Sequence, residues 1–364
     1  MVSELDTILS RVSARDEMDL EIDTAIASLS ALKSDNKRTA STMSKAGELS
    51  LDQHDNRTPE KPPVQCARWG IPILDRNFPL RRNTVMILAA EPGCGKTSLA
   101  LHALMQTAAD FHESAAMATL EMPAVDLANI VIGRELGVPG TVVEQGRLMT
   151  SQREKATAIL ARWRGEDALL RDECHGATTC DAICSWARER HLVGGGRLAL
   201  LVIDHLQEIS RKDDRQSEYE SINYSMTSLR QLAMSLGICV LLLSQYRKDD
   251  GKHRGPARRK GNSDLHGSGN IEKVAAGILH LHRPDRGSKV TQCFVDKHRY
   301  GVPSEFNLMF HAAEGQRFEE EPPQFKNEFK NEPQQTLGLS TGQKAYSEPT
   351  NEEDRFREEN DGTM

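Results

Sequence analysis

The stretch VMILAAEPGCGKT, residues 85–97, runs an apolar strand into a glycine-bearing turn and a Gly-Lys-Thr triplet, and a helical pattern follows. Gly93 and Gly95 let the backbone curl so that its N–H groups face inward, and the helix start adds its positive dipole end. Such a curl binds phosphate. Lys96 is of the right length to reach the β- and γ-phosphates of a nucleoside triphosphate, and the Thr97 hydroxyl is placed for Mg²⁺. Contacts to the nucleotide are therefore expected from Glu91, Pro92, Gly93, Cys94, Gly95, Lys96, Thr97 and Ser98. One departure is visible, since Ala90 stands where the strict GxxxxGK[ST] pattern has its first glycine.

Phosphoryl chemistry needs further groups. Leu198–Ile203 is a continuous apolar run that ends in Asp204. An ionised carboxylate there is costly without a cation or hydrogen bonds; Asp204 is expected to share Mg²⁺ with Thr97, the plainer alternative being a strand-end cap. Glu121 follows the apolar run Ala115–Leu120 and can act as general base beside the γ-phosphate. Taken alone, a Glu before Met-Pro is a helix-start residue. Ser244 and Gln245 end the run Ile238–Leu243, where polar residues face the ligand crevice of an open α/β sheet, and Gln245 is expected to sense the γ-phosphate. The segment after it, YRKDDGKHRGPARRKGN, carries seven Lys or Arg against two Asp. A glycine-rich cationic loop in that position suits a phosphate backbone, with Arg258, Arg259 and Lys260 as contacts; few aromatics interleave, so backbone contact is expected rather than base reading. Lys297 and Arg299 stand at i and i+2 after another apolar run, pointing one way on an extended segment. They suit a cationic finger aimed at a phosphate, in cis or from a neighbouring subunit.

These side chains need a scaffold that brings strand ends together. Candidate strands are Val85–Ala90, Ala115–Leu120, Ala168–Leu170, Leu198–Ile203, Ile238–Leu243, Gly277–Leu281, Val290–Asp296 and Phe306–Phe310. Candidate helices are Lys96–Phe111, Ala124–Leu136, Ser151–Arg164, Cys180–Arg190 and Glu218–Leu236. Apolar strands alternating with helices predict an α/β domain whose sheet is parallel and buried on both faces. The closely spaced late strands predict an antiparallel edge.

Composition limits the remainder. With 38 % hydrophobic residues and a mean hydropathy of −0.53, the 364 residues predict one core, at 64–318, with unstructured flanks. Residues 1–34 show helical periodicity and predict an arm; 35–63 read as a linker and 319–364, with its FKNEFKNE repeat, as a disordered acidic tail. The net charge of −7 resides wholly in the segment from Ala312 onward, so it does not exclude a nucleic-acid partner. No run of eighteen apolar residues and no secretory or transit pattern is present, which predicts a cytoplasmic location without a membrane partner. Seven scattered cysteines read as free thiols. A zinc site from Cys174, Cys180, Cys184, His175 and His191 fits no CxxC spacing; Cys180 and Cys184, one helical turn apart, read as core residues.

The blocks AAEPGCGKTSLA, TLEMP, LLVIDHLQEI, LLLSQYRK, SDLHGSGNIE and DKHRYG, in that order, resemble the C-terminal RecA-like ATPase domain of DnaB-type hexameric replicative helicases from about Gly70 to Phe318. The resemblance implies a RecA-like P-loop NTPase fold, ATP and Mg²⁺ as cofactors, and ATP-driven 5′-to-3′ translocation on single-stranded DNA by a homo-oligomer, a hexameric ring. It implies Glu121 as the catalytic glutamate, Asp204 as the Mg²⁺-ordering residue, Gln245 as the sensor, and Lys297 and Arg299 as the finger pair reaching the next subunit. Asp264–Gly269 is similar to the loop that grips single-stranded DNA, giving His266, Gly267 and Gly269 as contacts. Here His266 replaces the family's loop Arg and Gly267 its Glu, while Lys273–Ala276 replaces an acidic pair. The helical N-terminal domain of full helicases is not matched by residues 1–63, so loader and primase contacts are not implied. Two other readings stay open: an ATPase switch in recombination or regulation that does not unwind, and a module that holds ATP without turnover.

Overall fold

The computed structural model describes Met43 and residues 66–322, apart from 110–112, 165–167, 174–176, 212, 214, 247–258, 266–267 and 286. The expected helical arm, the linker apart from Met43, most of the acidic tail, and Cys174, His175, Arg258, His266 and Gly267 lie outside the described residues.

The elements in chain order are β1 (Cys66–Ala67), α1 (Pro72–Asn77), β2 (Leu80–Arg81), β3 (Thr84–Ala90), α2 (Lys96–Ala108), β4 (Ser114–Thr119), α3 (Ala124–Leu136), α4 (Gly140–Glu144), α5 (Thr150–Trp163), β5 (Ala168–Asp172) and α6 (Cys180–Val193). They continue with β6 (Leu198–Asp204), α7 (Glu218–Leu236), β7 (Cys239–Ser244), α8 (Ser268–Val274), β8 (Gly277–His282), β9 (Val290–His298), β10 (Ser304–His311) and β11 (Arg317–Glu320). Nine strands form one sheet in the order β11-β10-β9-β8-β3-β7-β6-β4-β5. From β8 to β5 every pairing is parallel; β9, β10 and β11 add an antiparallel edge. β1 and β2 make a separate two-stranded ribbon.

Alternation along the central strands explains the layering. Met86 and Leu88, Leu200 and Val202, Leu241 and Leu243 enter one core with Leu99, Leu101 and Leu104 of α2 and Leu127 of α3. Their neighbours Val85 and Ile87, Leu201 and Ile203, Val240 and Leu242 enter the other with Ile183 of α6 and Met226, Leu229 and Leu232 of α7. Successive side chains point to opposite faces. A strand apolar at both parities must therefore be covered on both sides, and all seven residues of β3 and of β6 are buried. Cys180 and Cys184 are core residues of the second layer. β5, at the sheet edge, is only half buried.

Local signals set several boundaries. Ser217 and Glu220 form a reciprocal capping box at the start of α7, and Gly237 ends that helix in the left-handed region. α1 begins at Pro72, at a position where its missing N–H costs no hydrogen bond; six residues were too few for a helical period to show. The core runs past the expected boundary at 318. Phe318 is buried and β11 pairs Met309 with Glu319 and Leu308 with Glu320. Glu319 accepts from His311 and Arg317 at 2.7 Å each. An acidic outer face had made this edge strand read as the start of the tail. Among the described residues no helix is long and apolar enough to cross a membrane.

Candidate nucleotide site

β3 lies between β7 and β8, with Ala89 beside Ser244 and Ala90 beside Leu281. The chain leaves β3 at the carboxyl edge of the parallel strands and turns into α2. Gly93 and Gly95 have φ of 84° and 92°, a region open to glycine and strained for other residues. A Cβ on Gly95 would also lie 2.8 Å from the Phe318 ring. Ala90 needs no such freedom: it is the last, fully buried residue of β3 in extended conformation, so a Cβ fits where the strict motif has glycine.

Side chains from three strand ends meet here. The Thr97 hydroxyl donates to Asp204 Oδ2 at 2.6 Å. Asp204 is 1 % exposed, and its Oδ1 has no hydrogen-bond partner among the described residues. Burial raises its pKa, while the bond from Thr97, His205 and Lys96 work the other way. A buried carboxylate oxygen with no donor, beside a threonine hydroxyl, is the arrangement a hard divalent cation fits. Lys96 is buried; desolvation lowers its pKa, and Asp204 and Glu121 oppose that shift. Glu121 stands two residues past β4, whose Thr119 is paired with Asp204, and its carboxylate is half exposed. The Leu120 N–H donates to the Asp204 carbonyl at 2.9 Å, tying the two strand ends together.

Gln245 follows β7 beside the phosphate loop. Its N–H donates to Gln207 Oε1 at 3.2 Å, and Gln207 Nε2 donates to Ser244 Oγ at 3.1 Å. Gln207 thus clamps the end of β7 to the turn after β6. The Ser98 hydroxyl engages Gln316, and the Ser98 carbonyl accepts from Arg134 at 2.8 Å.

The cationic residues are distributed differently from expectation. Lys260 pairs with Glu91 at 3.0 Å, so it meets the start of the phosphate loop. Arg259 bridges Asp296 at 2.9 Å and Glu305 at 2.6 Å and lies over the Phe294 ring. Both side chains turn toward protein carboxylates, which seven like charges in the sequence had obscured. Gly269 sits in the first turn of α8, not in an open loop. Lys297 donates to the Glu272 carbonyl and Arg299 to that of Lys273, at the carboxyl end of α8, where a helix dipole favours cations. They stand at the opposite sheet edge from the phosphate loop: Lys297 pairs with Ile278 and His298 with Gly277, itself beside Met86. Four residues of strand, about 13 Å, separate that register from Ala90, so these cations do not reach the loop of their own chain.

Three participants were not singled out from sequence. His205 is 3 % exposed, with Nδ1 3.0 Å from Glu121 Oε2 and 4.0 Å from Asp204 Oδ1. Arg283 donates to the Cys94 carbonyl at 3.2 Å and lies over the Phe310 ring. Gln207 is the third. All three follow within four residues of apolar runs already quoted, but only the fold says where each side chain turns.

A phosphate loop at the end of the central parallel strand β3, answered by carboxylates at the end of β6 and just past β4, defines a RecA-like P-loop nucleotide-binding domain. Residues 70–320 match the model of the DnaB-like helicase C terminal domain, and the chain belongs to that family. It is 29 % identical over 271 residues to the replicative DNA helicase DnaC of Bacillus subtilis, covering 71 % of this chain and 57 % of that protein. It is 28 % identical over 262 residues to the replicative DNA helicase DnaB of Haemophilus influenzae, covering 68 % and 54 %. The chain therefore spans just over half the length of these relatives. Among solved structures it is similar to one described as an ATPase domain, with a TM-score of 0.68 and 20 % identity over 78 % of this chain and all of that one. A DnaB-like replicative helicase studied with primase superposes at a TM-score of 0.66, with 20 % identity, over 78 % of this chain and 68 % of that one.

Proposed function

We propose that this chain is the motor of a DnaB-like helicase, hydrolysing ATP to move along single-stranded DNA. The observation that carries the reading is the meeting of Lys96, Thr97, Asp204 and Glu121 at one sheet edge, with Thr97 bonded to Asp204. Family membership supports DNA as the track.

The glycine turn and the start of α2 would cradle the phosphates, and Lys96 would meet the β- and γ-oxygens. Thr97 and Asp204 would hold Mg²⁺, which supplies charge neutralisation on those oxygens. Glu121, half exposed at the mouth, would orient a water and take its proton as the terminal phosphoryl group departs. Gln245 would register the γ-phosphate and pass its presence through Gln207 and the following loop. Lys297 and Arg299, remote from their own phosphate loop, would serve the site of a neighbouring subunit, which makes an oligomer, a hexameric ring, part of the proposal. The segment 247–269, with Arg258, Arg259, Lys260, His266, Gly267 and Gly269, would border the DNA. Of these, Arg259 and Lys260 would first have to leave their carboxylate partners.

The test is steady-state ATP hydrolysis with and without single-stranded DNA at fixed low salt. DNA is expected to raise turnover, and Glu121→Gln to lower it by about 10²–10⁴ while nucleotide affinity is kept. A strand-displacement assay then separates a motor from a switch that hydrolyses without unwinding, and 5′ against 3′ overhangs set the polarity. Turnover indifferent to DNA would remove nucleic acid from the proposal.

A further inference from the structure

We propose that His205 is a positioning residue which holds the Glu121 carboxylate at the mouth of the nucleotide site; this rests on reading Glu121 as the group that orients water. Glu121 is half exposed, and its close side-chain contact is the imidazole, with Nδ1 3.0 Å from Oε2. The ring itself is packed into the protein. It is 3 % exposed, it follows directly on β6, and its Nε2 faces Glu208 Oε1 at 3.8 Å. The backbone bond from Leu120 to the Asp204 carbonyl holds the two strand ends in fixed spacing, so the ring is presented to Glu121 by the sheet. A buried histidine in a core ordinarily has its ring nitrogens satisfied. Here Nδ1 is buried without an aligned hydrogen bond among the described residues, within bonding reach of one carboxylate alone at the site's edge.

The alternatives are a purely structural ring and a metal ligand, since Glu121, Asp204 and His205 bring one ligand atom each within 4.8 Å of one another. Both predict something different from positioning. In the full chain, His205→Phe keeps a ring and removes both nitrogens; His205→Asn keeps a donor near the Nδ1 position; His205→Gln carries its amide at the Nε2 position instead. With saturating single-stranded DNA, His205→Phe and His205→Gln are expected to lower kcat by roughly ten- to hundredfold. KM for ATP and the affinity for a fluorescent ATP analogue with Mg²⁺ should stay within about twofold. His205→Asn should recover a substantial part of kcat. Combined with Glu121→Gln, His205→Phe should slow turnover no further, because both changes remove one function. If His205→Phe proves unstable in thermal unfolding, His205→Gln carries the comparison. Unchanged kcat in the Phe and Gln variants overturns the proposal, as does an Asn variant no faster than Phe. Loss of Mg²⁺–nucleotide affinity in step with kcat overturns it in favour of a structural or metal-binding ring. Full activity of Glu121→Gln alone would instead remove the reading of Glu121 and is told apart by that single variant.

Discussion

Lys96 shows how one side chain is kept usable inside a protein. Burial disfavours its ammonium and lowers its pKa, and the carboxylates of Asp204 and Glu121 oppose that shift, favouring the cation beside the phosphate loop. Asp204 is the reverse case: its burial raises its pKa, and the Thr97 hydroxyl, His205 and Lys96 oppose the shift. His102, further along α2, has only a backbone hydrogen bond with Gly70 to oppose its burial. Burial, with Arg134 nearby, lowers its imidazole from 6.5 to about 4. Between those pH values the unfolded chain binds a proton that the native state refuses. Stability present above pH 6.5 is therefore lost as pH falls toward 4, by up to about 3 kcal/mol. His102→Gln is expected to flatten the fall of Tm between about pH 7 and pH 4.5 relative to the parent protein. An unchanged slope would place the acid sensitivity elsewhere.

At the level of elements, the phosphate loop is backed by the last two strands. Phe318 and Phe310 pack under Gly95 with ring centroids 4.7 Å apart; Gln316 meets Ser98, and Arg283 holds the Cys94 carbonyl. β11 is only four residues long, yet it closes the core against the loop. Phe318→Ala should cost about 3–5 kcal/mol and weaken nucleotide binding, because the loop loses its floor. Phe318→Leu, which retains more of the buried volume, should be milder on both counts. Chemical denaturation paired with nucleotide titration measures both effects, and a stability loss without a change in affinity would show the loop to be held by its glycines alone.

For the whole molecule, the sheet sets two groups of candidate residues apart along its strands. The phosphate loop, Asp204 and Glu121 occupy the carboxyl edge; Lys297 and Arg299 sit at the other, beyond reach of their own nucleotide. If the finger serves a neighbour, two inactive variants should rescue each other. Arg299→Ala subunits keep an intact Glu121, and Glu121→Gln subunits keep an intact finger. Mixing them should restore DNA-stimulated hydrolysis at the interfaces that combine both, in proportion to the mixing ratio. Mixtures no more active than either parent would show that the finger acts elsewhere.

What was legible in the sequence was whatever is local. The apolar runs at residues 85–90, 198–203 and 238–243 announced strands buried on both faces, and the residues ending them were expected at one sheet edge, where the fold gathers them, because side-chain alternation and the edge of a parallel sheet follow from short-range geometry. Glycines at 93 and 95 were legible for the same reason. Long-range partners were not. Lys260 turns to Glu91, Arg259 to Asp296 and Glu305, Ser98 to Gln316, and His205 to Glu121. The partners lie far apart in the chain, and a charge or ring in a sequence carries no direction. Direction came from the strand order, which places β3 between β7 and β8 and β4 against β6. That order is decided by how the helices cover the two faces of the sheet, a property of the packed whole that no single segment encodes.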